Sequence, residues 1–274
     1  MSSNKLTVHT AASLSVTEYI ARLWKYRTLI TTFARRDLKI KYAQTFLGIV
    51  WVLFAPFPSV IIFTFFFGTL IKVDTGRLPY PVFALTGMIG WVYFTNLTAS
   101  VGSSMIDAEN IIKKIYFPKL ILALSKVLTN GADFLISFAV ILVVMLAFGV
   151  TPTWTIVFFP LFLVLNIICG MAIGLWVAAL TIRYRDLQHI APQLINFCIW
   201  LTPVFYPTTV LPDRLSYVMY ANPMALVISG YRYTLSGGEV PSQHYLISII
   251  PLFVLFITGV IYFCKVEDDA AEYI

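Results

Sequence analysis

The residues of this chain able to do chemistry are few, and most lie at the edges of apolar runs. Asp133, at Asn130-Gly131-Ala132-Asp133, is the one acid well inside such a run. A single carboxylate without a second acid serves a proton relay poorly, so an interhelical hydrogen bond near the inner end of its helix is the better reading. His9, His189 and His244 stand far apart, with no spacing that suits a ligand set. Cys169, Cys198 and Cys264 fall inside or at the end of apolar runs, with neither disulfide nor zinc spacing, and read as packing residues. No Gly-x-x-x-x-Gly-Lys-Ser/Thr phosphate loop is present, because Gly-Lys never occurs. His-Glu-x-x-His and Gly-x-Ser-x-Gly are absent too. The chain is therefore read as binding no metal and carrying no ATP loop of that type.

Aromatic residues are the larger asset. Trp91, Tyr93 and Phe94 cluster in one apolar run, Trp176 sits in another, and Trp200, Phe205 and Tyr206 close a third. Tyr217, Tyr220, Tyr231 and Tyr233 follow in a connecting segment. Two readings stay open. Trp and Tyr gather at both interfaces of any membrane protein. Alternatively, a file of rings offers apolar C–H surfaces a resting place while phenol and indole polar ends bond hydroxyls, which suits sugars.

The elements that must position these residues are set by composition. Of 274 residues, 59% are hydrophobic and 12% charged, with mean hydropathy +0.84. Soluble domains carry about 25% charged residues, so the solvent expected here is a bilayer. The first 40 residues hold no uninterrupted apolar core, which argues against a cleavable signal peptide. The expected fold is an all-α integral membrane protein with six transmembrane helices. Apolar runs cover about 46–71, 81–103, 126–149, 153–182, 190–206 and 246–264, each near the about 20 residues that cross hydrocarbon. Pro56 and Pro58 in the first run and Pro160 in the fourth predict kinks. Before the spans, residues 1–45 form a tail and an amphipathic helix, with Val16, Ile20, Leu23, Tyr26, Ile30 and Phe33 on one face. Its many Lys and Arg place it on the membrane surface, toward anionic headgroups or a partner. Residues 265–274 form a C-terminal tail.

Orientation follows from Lys and Arg. With the N-terminus inside, inner segments hold 15 of them and outer segments 4. The positive-inside rule then puts both termini in the cytoplasm, together with the polar island Arg183-Tyr184-Arg185-Asp186. Arg185 and Asp186 are expected to bond each other or cap helix ends there, with contact to a partner as the alternative.

Two connections are not plain loops. Ser104-Met105-Ile106-Asp107 has the form of a capping box opening a short cytoplasmic helix over 108–117, which Pro118 ends. Its charged side carries Asp107, Glu109, Lys113 and Lys114. A helix of that length is marginal alone, so the bilayer, its own spans or a soluble partner must cover it. The outer segment 208–243 is too apolar to be solvated, and divides at Asn222-Pro223 into two short helices. Such lengths suit a re-entrant hairpin that closes or lines an exit.

At this point the chain resembles the membrane subunit of polysaccharide-exporting ABC transporters of the type-two exporter class. This group includes O-antigen, capsule and teichoic acid permeases. The resemblance rests on Arg36-Asp37-Leu38-Lys39-Ile40-Lys41-Tyr42 with Leu47-Gly48-Ile49-Val50-Trp51, then Pro79-Tyr80-Pro81-Val82-Phe83 leading to Gly87, and Asn110 through Tyr116-Phe117-Pro118. Arg183-Tyr184-Arg185-Asp186-Leu187, Pro203-Val204-Phe205-Tyr206-Pro207 and Asn222-Pro223 complete it. The C-terminal Val266 to Ile274 departs from the aromatic-and-acidic ending expected there.

The resemblance implies a six-span homodimer in a bacterial cytoplasmic membrane, paired with two copies of a separate ABC ATPase. ATP and Mg would bind that partner, leaving this chain without a cofactor or catalytic residues, and no nucleic acid would be involved. The basic amphipathic helix would be an interface helix. Asp107, Glu109, Lys113, Lys114 and Tyr116 would dock the ATPase as a coupling helix. The cargo would be a glycan on undecaprenyl diphosphate. By charge, Arg35, Arg36, Lys39 and Lys41 would meet the diphosphate. The rings Trp91, Tyr93, Phe94, Trp176, Trp200, Phe205 and Tyr206 would line the pathway, and the hairpin bearing Tyr217, Tyr220, Tyr231 and Tyr233 would gate its outer end. Alternatives are a permease for a drug or simple lipid, and an integral-membrane glycosyltransferase. The latter is disfavoured because the outer segment carries Asp213 and Glu239 without an acidic pair for a metal.

Overall fold

A computed structural model describes residues 16–43, 54, 57–76, 78–208, 213–238 and 240–267. The tail before Val16, Leu47–Trp51, Pro56 and residues 268–274 lie outside them, as do the backbone of 209–212 and Glu239. Among the described residues the regular structure is entirely helical.

Among the described residues four helices are long and apolar enough to cross a membrane, including the tight turns that lead into two of them: Tyr80–Asp107, Leu120–Ala147, Trp154–Arg183 and Gln243–Val266. They correspond to the second, third, fourth and last predicted runs. The chain is therefore a multi-pass membrane protein. In order, α1 is Val16–Lys25, α2 is Arg27–Ala43, and α3 is Phe57–Phe63, which widens into a π-helical stretch over Thr64–Leu70. Next come α4 (Tyr80–Asp107), α5 (Glu109–Ile112) and α6 (Leu120–Ala147). A 3₁₀ turn, Trp154–Phe158, leads into α7 (Phe159–Arg183), and α8 (Leu187–Phe197) runs into another at Cys198–Leu201. Two short helices, α9 (Asp213–Ala221) and α10 (Pro223–Ser236), precede a 3₁₀ turn at Gln243–Ser248 and α11 (Ile249–Val266).

The central pair is α4 and α7, with α6, α10 and α11 packed around it. In hydrocarbon, helices associate through close packing rather than apolar burial, so small residues mark the contacts. A Cβ at Gly174 would stand 2.7 Å from Val101, one at Gly170 2.8 Å from Leu97, and one at Gly102 2.8 Å from Val177. The α4–α7 seam is thus a groove of glycines filled by branched side chains. One amide fixes its depth: Asn166 donates through Nδ2 to the Gly90 carbonyl at 3.0 Å and to the Tyr231 hydroxyl at 3.1 Å. At Gly230 a Cβ would fall 2.0 Å from Phe162, which is how α10 reaches α7 closely.

Several local expectations change. Pro160 does not kink a span: it lies in the first turn of α7, where a missing N–H costs no helical bond. The amphipathic segment is two helices broken at Tyr26, and Ile20, assigned to its apolar face, is exposed, while Tyr19, Leu23, Leu29 and Ile30 pack inward. The capping box does not form either. Asp107 ends α4, Ser104 is buried within that helix, and its hydroxyl donates back to the Val101 carbonyl at 2.6 Å. The short helix is consequently the single turn of α5, followed by a turn at Lys113-Lys114 and irregular chain to Phe117, rather than a helix over 108–117.

Candidate functional site

Twenty-eight residues of α4 separate two polar regions by about 40 Å at 1.5 Å per residue. The basic end gathers α2, α5, the start of α6 and the Arg183–Asp186 turn. The far end gathers the segment after α8, both short helices and the start of α4.

At the basic end, cations meet carboxylates from other elements. Lys126 of α6 donates to Asp37 of α2 at 2.9 Å and to Asp107, the last residue of α4, at 3.3 Å. Arg36 pairs with the same Asp37 at 2.7 Å and lies over the Phe33 ring, which in turn contacts Phe117 at 5.5 Å. Burial works to raise the Asp37 carboxyl, but the hydrogen bonds from Lys126 and Arg36 outweigh it and hold it below its ordinary value. One helix turn further along α2, Lys41 pairs with Asp133 and Tyr42 donates to the same carboxylate. Asp133 is thereby an interhelical anchor between α2 and α6. At the other edge of the bundle, Tyr19 of α1 donates to Glu267, just beyond α11, at 2.8 Å.

The α5 turn protrudes beside this network. Glu109 and Lys113 form an i,i+4 pair at 2.7 Å, and Lys113, Lys114, Ile115 and Tyr116 are exposed while Ile112 and Phe117 are buried beneath. Glu109 is held below its ordinary value, chiefly by the Lys113 hydrogen bond and in lesser part by the charge of Arg185. Arg185 of the Arg183–Asp186 turn therefore lies near enough to α5 for its charge to act on Glu109. All four residues of the turn are exposed, and no side-chain bond from Asp186 caps α8, contrary to the expected cap.

At the far end, the 3₁₀ turn after α8 stops at Leu201 and the chain runs without helix from Thr202 to Pro207, leaving carbonyls without helical partners. Side chains supply them. Asn222 bonds the Thr202 hydroxyl at 2.9 Å, while its Oδ1 accepts from the Met224 N–H and caps α10. Tyr80 donates to the Phe205 carbonyl at 2.7 Å. Arg232 of α10 donates to the carbonyls of Pro203 at 2.8 Å and Val204 at 2.6 Å. Gly237, at φ 63°, ends α10 in the left-handed conformation that its missing Cβ permits.

Two cavities flank this region. One of about 530 Å³ is lined by Asp74, Thr75, Thr208, Arg232, Tyr233 and the Gly237–Gly238 backbone, among others. The other, about 380 Å³ and apolar, lies between α4, α7, α8, the short helices and α11, with Trp91, Phe94, Cys198 and Leu255 among its walls.

A model of the ABC-2 type transporter family matches residues 28–236. The chain belongs to that family. The match begins in α2 and ends at the last residue of α10, so it takes in both polar ends. The chain is also 27% identical over 240 residues to an O-antigen export system permease protein RfbA of Myxococcus xanthus, covering 87% of this chain and 92% of the relative. An RfbA of Klebsiella pneumoniae matches at 27% over 245 residues, 89% of this chain and 94% of the relative. The inner membrane transport permease YadH of Escherichia coli K12 matches at 27% over 228 residues, 78% and 87% of the two chains.

In this ABC-2 chain the residues singled out from sequence divide sharply. Of the four cations assigned to a diphosphate, Arg36 and Lys41 are engaged with carboxylates, whereas Arg35 and Lys39 are exposed. Asp107 faces Lys126 and Ser103. Among the rings, Trp91, Tyr93, Phe94 and Phe205 are buried, Tyr93 against Phe134 at 4.9 Å and Phe205 stacked on Phe63 at 3.6 Å. Trp176 donates to the Leu255 carbonyl at 3.1 Å and stacks on Tyr262, tying α7 to α11. Trp200 is exposed, and Tyr206 beside it donates to the Trp200 carbonyl at 2.9 Å. Of the four tyrosines, Tyr217 is exposed, Tyr220 packs beside His244 and Tyr245, and Tyr233 borders the larger cavity. Tyr231 is 1% exposed and stacked on Phe159 in the α7–α10 contact. Arg232, Lys126 and Asn166 are organising residues that sequence reading did not single out, and Tyr80 entered it within the Pro79–Phe83 motif without a role. A cation inside an apolar helix was the available signal for Arg232.

Proposed function

We propose that this chain is the permease subunit of an ATP-driven exporter that moves a lipid-linked polysaccharide across a bacterial cytoplasmic membrane. The observation that carries this is the family match together with relatives named O-antigen export permeases, aligned over nearly their whole length. Energy comes from a separate ABC ATPase, in keeping with the absence of a phosphate loop from this sequence. In this reading the basic end is cytoplasmic, as the 15-to-4 distribution of Lys and Arg favours. The α3 stretch and α8 complete six crossings, and both termini are cytoplasmic.

The work divides along α4. The exposed Lys113–Tyr116 edge and the adjoining Arg183–Asp186 turn receive the ATPase, two copies serving a dimer of this chain. Arg35 and Lys39, two exposed cations of α2, meet the diphosphate of an undecaprenyl carrier. The face of α3 and α8 bearing Phe65, Phe66, Phe197 and Trp200 is apolar and exposed, which suits a second copy or the glycan pathway between copies. Segment 202–207 with α9 and α10 closes the outer end.

Deleting the gene in its own host tests this reading. Loss of surface glycan, with lipid-linked glycan accumulating on the cytoplasmic side, is the expected result. Unchanged surface glycan with altered efflux of a drug or simple lipid would instead establish the alternative cargo.

A further inference from the structure

Arg232 is the one residue of α10 whose charge the fold must accommodate. No ion pair reaches it among the described residues. Its guanidinium lies 3.4 Å from the centre of the Phe83 ring, and its Nε is buried without a hydrogen-bond partner. An ionised group held this way within an apolar helix is costly and marks a functional position. What it gains is geometric. The planar fork spans two consecutive carbonyls, those of Pro203 and Val204, in the segment where helical bonding has ended. A third contact, 3.5 Å from Nη2 to the Phe83 carbonyl, adds α4. One side chain thus joins α10, α4 and the non-helical segment. The room for it is made at Gly87, where a Cβ would stand 2.7 Å from the Val204 oxygen and 2.9 Å from Nη2.

We propose that Arg232 is the latch of the outer closure: it holds the Pro203–Val204 backbone against α4, and the closure opens when those two carbonyls are released. Because the hydrogen bonds from Tyr80 and Asn222 to this segment come from neutral donors, those from the charged Arg232 are the strongest hydrogen bonds of the set. This inference rests on reading segment 202–207 with α9 and α10 as an outer closure, but not on the identity of the cargo.

The test is release of an entrapped fluorescent dye from proteoliposomes containing the permease without ATP. Arg232→Ala should release dye roughly tenfold faster than wild type, the scale set by losing hydrogen bonds from a charged donor. Arg232→Lys, which cannot bridge both carbonyls, should fall between the two. Gly87→Ala keeps the charge yet pushes the fork off Val204, and should leak as Arg232→Ala does. Melting temperature is measured alongside each variant. Dye retention at the wild-type level in both Arg232→Ala and Gly87→Ala overturns the latch, and a lowered melting temperature with unchanged leak assigns Arg232 to packing alone. Since no glycan is present in this assay, failure of the polysaccharide reading would leave the leak result standing.

Discussion

The two polar ends of this bundle solve one problem in opposite ways. At the basic end cations find acids on other elements: Lys126 takes Asp37 and Asp107, and Lys41 takes Asp133. At the far end Arg232 is met by backbone carbonyls and a ring. Carboxylates can be protonated, screened or offered to another partner, so the first end can respond to an arriving charged surface. Carbonyls cannot titrate, and they change partner when the backbone moves. The contrast suits a protein driven at one end and sealed at the other.

Removing the shared cation should break the first end most severely. Lys126→Met leaves Asp37, whose side chain is 12% exposed, and Asp107 without that cation, and loss of one partner of a buried pair costs about 3 kcal/mol. Chemical denaturation in detergent measures this. Lys126→Arg, which can still reach two carboxylates, should recover most of the loss, and equal destabilisation by both would show that packing, not charge, is what Lys126 supplies.

Acid should separate the two ends more gently. The Asp37 carboxyl lies below its ordinary value in the folded protein, so its stabilising contribution is present at neutral pH. It disappears as pH falls below the ordinary carboxylate range and through the folded value. Hydrogen exchange, corrected for its intrinsic pH dependence, should therefore loosen in α2 on acidification while α10 keeps its protection. Parallel loosening of both helices would erase the distinction.

How much of this could be read in the sequence depends on how far apart the interacting residues lie. Long spans were legible because composition alone sets them: a run expected over 81–103 is a helix over Tyr80–Asp107, and one over 153–182 is Trp154–Arg183 with its leading turn. The break at Asn222-Pro223 was legible because capping is local. The Ser104 box failed for an equally local reason, since the α4 hydrogen-bond ladder runs through it and the hydroxyl turns back to Val101. Lys126 and Arg232 were missed because their partners are 89 and 28 residues away in the chain. Rings such as Tyr231 were grouped by type and position, whereas the close approach of α10 to α7 that buries it depends on Gly230 meeting Phe162.

The smallest effect on stability should come from the exposed edge. Reversing charge at Lys113 and Lys114 breaks a solvent-exposed pair and should leave denaturation unchanged. It should nevertheless reduce co-purification of the ATPase. Full retention of the ATPase would remove the docking role from this edge.

The most direct measurement is reconstitution of this chain with its ATPase in liposomes that carry lipid-linked glycan on the ATPase-facing side. The account predicts that ATP makes the glycan accessible to a lectin on the opposite side, and that omitting either ATP or the permease abolishes this. Glycan that stays inaccessible while ATP is hydrolysed by an intact complex would contradict it.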